Sequence, residues 1–77
     1  MKKGNEVVNS FTFMMKEKIM QLKIEIGQHE LEFSKLRTHQ IIADIDTDQP
    51  EVKNGIEAYK QVLNEMQELL AYYQSFL

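Results

Sequence analysis

Val52, Ile56, Tyr59, Leu63, Met66, Leu70, Tyr73 and Leu77 follow one another at alternating steps of four and three residues. That spacing keeps a single apolar stripe along a helix and suits it to lie lengthwise on another helix. It predicts a helix over about residues 51–77. Met15, Ile19, Leu22, Ile26, His29, Phe33 and Leu36 repeat the same steps upstream, and Val8 extends them by one heptad. They predict a longer first helix over about residues 6–43. Met1 to Gly4 is expected to fray. Asn5, Asn9 and Ser10 each offer a side-chain oxygen for capping the helix start.

Between the two patterns lies Asp44-Ile45-Asp46-Thr47-Asp48-Gln49-Pro50. Aspartate and threonine are poor inside helices and good in turns, because their side chains compete for backbone hydrogen bonds. The expectation is an acidic turn over residues 44–50. Asp48 and Glu51 have capping-box spacing, with Pro50 in the first helical turn. Ile41, Ile42 and Ile45 are expected to close the end of the structure beneath this turn. The predicted fold is all-α: one domain over residues 1–77, a two-helix antiparallel hairpin. A break at Gly27, where glycine costs about 1 kcal/mol relative to alanine, would make it three helices.

A second apolar row changes this picture. Phe13, Met20, Ile24, Gly27 and Leu31 recur at helical spacing on the side of the first helix away from its seam. On the second helix, Val62, Leu69 and Phe76 run beside the main seam, and Tyr72 widens that row. One stripe suffices for one neighbour. Two stripes call for at least two neighbours, which a lone hairpin cannot provide. A fold-back near residue 47 would bring Leu77 level with about residue 17, given a rise of about 1.5 Å per residue. Val7, Val8, Phe11, Phe13, Met14 and Met15 would then form an uncovered apolar overhang, which needs a cover.

Composition points the same way. The 77 residues contain no cysteine, so disulfides and thiolate metal sites are excluded. Chains this short bury little core and commonly gain stability by association. The expected assembly is a homo-oligomeric, coiled-coil-like bundle, a dimeric four-helix bundle in the first instance.

The net charge of −3 is unevenly placed, with a weakly basic start and four acids between Asp44 and Glu51. No basic face of the kind that grips nucleic acid stands out. No stretch has the length and apolarity of a membrane span or of a signal peptide. The expected setting is the cytoplasm of a bacterium or phage-infected cell.

Candidate chemistry is sparse. Asp44, Asp46 and Asp48 copy the opening of an EF-hand calcium loop. Gln49 stands where that loop needs glycine, and Gly55 where it needs glutamate. Acids in a solvated turn are the better reading. His29 sits on the seam, where a polar residue fixes register and oligomeric state more readily than it recruits a metal. It could also make assembly respond to pH. Tyr59, Tyr72 and Tyr73 read as packing residues. There is no nucleophile motif and no phosphate loop, so the expectation is a non-enzyme without metal or cofactor.

The sequence therefore predicts a protein-interaction module that pairs with itself and binds or regulates a larger protein. Its candidate contact residues are Phe11, Phe13, Met14, Met15, Met20, Ile24 and Leu31. In outline the hairpin resembles the small helical-hairpin chaperones and needle subunits of secretion systems, which also set a proline-containing turn between two long helices. That resemblance rests on architecture alone and implies a structural or chaperone-like alternative. A dimeric nucleic-acid-binding regulator, using Lys2, Lys3, Lys16, Lys18 and Lys23, is the second alternative.

Overall fold

A computed structural model of the chain describes the backbone of residues 2–77 and the side chains of residues 10–77. Val7, Val8, Lys2, Lys3, Asn5 and Asn9 thus have side chains outside the described residues. The architecture is two helices packed against each other, α1 (Lys2–Ile42) and α2 (Pro50–Gln74), with no strand among the described residues. Helix α1 is continuous through Gly27, so the three-helix alternative is not adopted. It also takes in Lys2 to Gly4, the segment expected to fray.

The seam follows the sequence pattern closely. On α1, Met15, Ile19, Leu22 and Ile26 are buried, and His29, Phe33 and Leu36 are half-buried. On α2, Val52, Ile56, Tyr59, Leu63, Met66, Leu70 and Tyr73 are half-buried, and every other residue of the helix is exposed. No residue of α2 is fully buried. Burying one apolar side chain contributes about 2 kcal/mol, so four such residues make a thin core.

Shape explains the thinness. Helix α1 alone is about 60 Å long at about 1.5 Å per residue, and the molecule measures 64 × 18 × 12 Å. Its radius of gyration is 18.5 Å, whereas a globular chain of this length has about 11.5 Å. It exposes 6221 Å², against about 4,900 Å² for a compact monomer of this mass.

The ends of the helices depart from the sequence reading in three ways. First, α1 stops in a Schellman motif: the Ile45 N–H donates to the Gln40 carbonyl at 2.9 Å and the Asp44 N–H to the Ile41 carbonyl at 3.1 Å. Asp44 takes the left-handed conformation, φ 55°, a position that glycine usually fills and aspartate tolerates. Second, the cap of α2 is Gln49, in extended conformation and without a side-chain cap bond. Asp48 does not form a capping box. Pro50 forces the residue before it out of the helical region, which places the cap at Gln49, one residue after Asp48. The Asp48 N–H is held instead by Asp46 Oδ1 at 2.9 Å, an Asx turn.

Third, Ile41 and Ile42 do not close the end of the hairpin: they are 71% and 79% exposed, and Ile45 is exposed too. Gln40 occupies the seam there. It is buried, and its side-chain oxygen accepts a 2.8 Å bond from Arg37 Nη1. The four-residue step from Leu36 lands on Gln40, so the isoleucines that follow point outward.

The abrupt stop at Asp44 also moves the reversal point. Phe11 meets Phe76, with ring centroids 6.0 Å apart, so α2 reaches further down α1 than a turn centred at residue 47 allows. Of the expected overhang, Met15 is covered within the chain, while Phe11, Phe13 and Met14 stay exposed. Met15 in particular is a core residue, 6% exposed.

Replacing Asp44 with glycine removes the left-handed strain and a carboxylate from the negative end of α1. Asp44→Gly is expected to stabilise the protein by about 1 kcal/mol, read as a higher urea midpoint at unchanged slope.

Candidate functional site

Two helices side by side leave two long edges flanking the seam and one back on each helix. In an antiparallel pair, positions just before each seam residue on one helix neighbour their equivalents on the other. The contact between Phe11 and Phe76 fixes which side chains share an edge. So do two shallow grooves, one lined by His29, Glu32, Ala58, Tyr59 and Val62 and the other by Lys18, Gln21, Leu22, Glu25, Leu69 and Tyr73. This edge, the apolar edge, carries the exposed large apolar side chains Val62, Leu69 and Tyr72 of α2, with Phe76 just beyond the helix end. Tyr72 packs edge-on against Phe76, centroids 5.0 Å apart.

The opposite edge is different in kind. Helical spacing places Lys16, Lys23, Glu30 and Arg37 of α1 there, with Lys53, Lys60, Gln67 and Gln74 of α2. Among the described residues it has no apolar side chain and a surplus of positive charge. Lys18 lies across the molecule from this edge, so the lysines of the first helix do not share one face.

The predicted contact residues separate into three groups. Phe13, Met20, Ile24 and Leu31 are 49–63% exposed and run along the back of α1, away from the seam. Phe11 and Met14 belong to the apolar edge, at the end where Phe76 sits. Met15 belongs to the core and is not available as a contact. The apolar edge as a whole was underweighted by a reading that looked for contacts on α1 alone. Its signal in the sequence is the seven-residue spacing of Val62, Leu69 and Phe76.

His29 ties the helices together. Its Nε2 lies 3.0 Å from the Tyr59 carbonyl oxygen, and its ring stacks on the Tyr59 ring at 5.1 Å. Phe33 flanks the same tyrosine at 5.7 Å. With Nε2 carrying its proton, the imidazole donates to a carbonyl that a purely apolar side chain would leave to the helix alone. The pair joins α1 to α2 at one defined level of the seam.

Among the described residues no group of three or more His, Asp or Glu side chains is placed to hold a metal ion. No helix among them is long and apolar enough to cross a membrane. Comparison with family models, with curated proteins and with solved structures finds no match to this chain.

Gly27 lies in the back row of α1, and a Cβ added there meets nothing within 4 Å. Gly27→Ala is therefore expected to stabilise the hairpin by about 1 kcal/mol through helix propensity. Thermal unfolding measures it. A loss of stability instead means that another helix presses on the back of α1 at this glycine.

Proposed function

We propose that this protein is a non-enzymatic interaction module, an obligate oligomer of helical hairpins that presents the back of α1 to a larger protein. The observation that carries this reading is the row Phe13, Met20, Ile24 and Leu31, exposed along one face of a helix whose other face is already used by the seam. Methionine within such a row adapts to the shape of a partner. The obligate oligomer follows from the thin core: α2 has no fully buried residue, and small elongated chains without disulfides need further burial.

A structural role is the second reading, favoured by the placement of apolar surface on two separate faces. Two unlike patches can pair heterologously, and a heterologous contact that does not close builds an open-ended assembly. A nucleic-acid-binding regulator is less well supported. Lys16 and Lys23 lie on one side of the hairpin and Lys18 on the other, and the surplus of positive charge on the polar edge is interrupted by Glu30.

Light scattering on the full chain is expected to give a discrete mass above that of the 9.1 kDa monomer, unchanged over a range of concentrations. Growth with concentration selects the structural reading. In the native host, a tagged chain is expected to retain a partner protein in fixed stoichiometry. The double variant Met20→Lys, Ile24→Lys should lose that partner at least tenfold in affinity, about 1.4 kcal/mol, while keeping its own mass and helicity. Retention of the partner by the double variant overturns the proposed contact.

A further inference from the structure

We infer that Gly55 is a seat for Phe76 of a second copy of this chain, which lies on the apolar edge in the opposite direction and sets its Glu25 against Lys18. This rests on the oligomeric part of the reading above and assigns its interface and register. It leaves the back of α1 to the larger partner.

Gly55 stands inside α2, where glycine is the poorest helix former after proline. A Cβ added to it meets nothing within 4 Å, so nothing among the described residues requires it to be small. Gly55, Val62, Leu69 and Phe76 are seven residues apart, each just before a seam residue. They form the α2 side of the apolar edge. The α1 side is Phe11, Lys18, Glu25 and Glu32, also seven apart. The Phe11–Phe76 contact and the two shallow grooves put both rows on one edge.

A closed dimer uses the same patch on both copies, so the patch must be complementary to itself. Reversing the α2 row about the midpoint of Val62 and Leu69 lays Leu69 on Val62 of the second copy and Phe76 on Gly55. Reversing the α1 row about the midpoint of Lys18 and Glu25 lays each of these charges on the other, twice. One axis does both only if the two midpoints are level. The first falls between Glu65 and Met66, the second between Gln21 and Leu22. The contacts of Phe11 with Phe76 and of His29 with Tyr59 place those two points side by side. The other two-fold arrangement, with both turns at one end, lays α1 on α2 of the second copy at equal levels. Lys18 then covers Leu69 and Glu25 covers Val62, so each charge leaves water without a partner, which is unfavourable. The antiparallel register has one opposing contact: Glu65 approaches its own copy near the axis, with Gln61 Nε2 donating to its carboxylate at 3.1 Å. The size is adequate. From Phe11 to Glu32 the edge runs about 30 Å at about 1.5 Å per residue, and the molecule is 18 Å wide. That gives roughly 600 Å² per copy, so the two faces together exceed the roughly 1,000 Å² that a specific interface needs.

The chain has no cysteine, so introduced cysteines report cleanly. Full chains carrying Leu69→Cys alone and Val62→Cys alone are mixed in equal amounts and oxidised mildly. Facing residues come within disulfide reach, so the mixed disulfide is expected to exceed either same-variant disulfide about tenfold. A Leu69→Cys chain that pairs mainly with itself, or a statistical mixture, overturns the register even if the protein is an oligomer. A monomeric wild-type chain overturns both this inference and the oligomeric reading.

Size and charge exchanges provide the second test. Gly55→Leu is expected to raise the dimer dissociation constant about tenfold, and Phe76→Ala added to it to recover most of that loss. An unchanged constant in Gly55→Leu overturns the Phe76 seat. Lys18→Glu and Glu25→Lys alone are each expected to raise the constant several-fold, and the double variant to restore it. Additive weakening in the double variant counts against the antiparallel register.

Discussion

The seam between α1 and α2 is the contact on which everything else in this molecule depends. It is narrow. Two cylinders lying side by side touch along one line, and only the side chains nearest that line leave water. On α1 that means Met15, Ile19, Leu22 and Ile26; on α2 no residue is wholly covered. A third or fourth helix would turn the half-buried stripe of α2 into core without any change of sequence. The high exposed area of the isolated hairpin is thus a property of its geometry, and the apolar side chains outside the seam are where that geometry can be completed.

The seam was legible in the sequence because its signal is long. Seven or eight apolar residues at steps of three and four leave little choice of face, and the half-buried positions of α2 are the ones that the spacing selects. The ends were less legible because they depend on single residues. A left-handed aspartate at position 44 ends α1 as a glycine would, but aspartate in a run of acids gives no sign of which residue takes that conformation. Pro50 indicated the start of α2, yet its steric effect on Gln49 outweighed the side-chain caps on offer. Small errors there had a larger effect on the candidate site: shifting the reversal by about three residues brings Phe76 to Phe11 and moves Met15 from surface to core.

The division of the surface into unlike faces bears on function. A hairpin that used the same apolar strip for its own copy and for a partner would force the two to compete. Here the back of α1 and the edge beside Leu69 are different surfaces, so occupying one would leave the other free. His29 and Tyr59 have a role in this, because they hold α1 and α2 in one register. A slip of one heptad along the seam would preserve most of the seam's hydrophobic contacts but would part Phe11 from Phe76 and misalign the edge. A polar contact at a defined level removes that freedom at little cost in burial.

The location of the buried residues has a consequence for how the chain reaches its fold. Met15 to Ile26 lie toward the open end of the hairpin, far in sequence from the α2 residues level with them, whereas the turn end is closed by Gln40 with Ile41 and Ile42 left in solvent. Zipping outward from the turn therefore gains little apolar burial at first, and the favourable contacts arrive only after a loop of several dozen residues has closed. Entropy of loop closure is met before the reward. A chain arranged in this way passes through states in which α1 is helical but unpartnered, and any second chain that supplies the missing contact then enters the folding reaction itself.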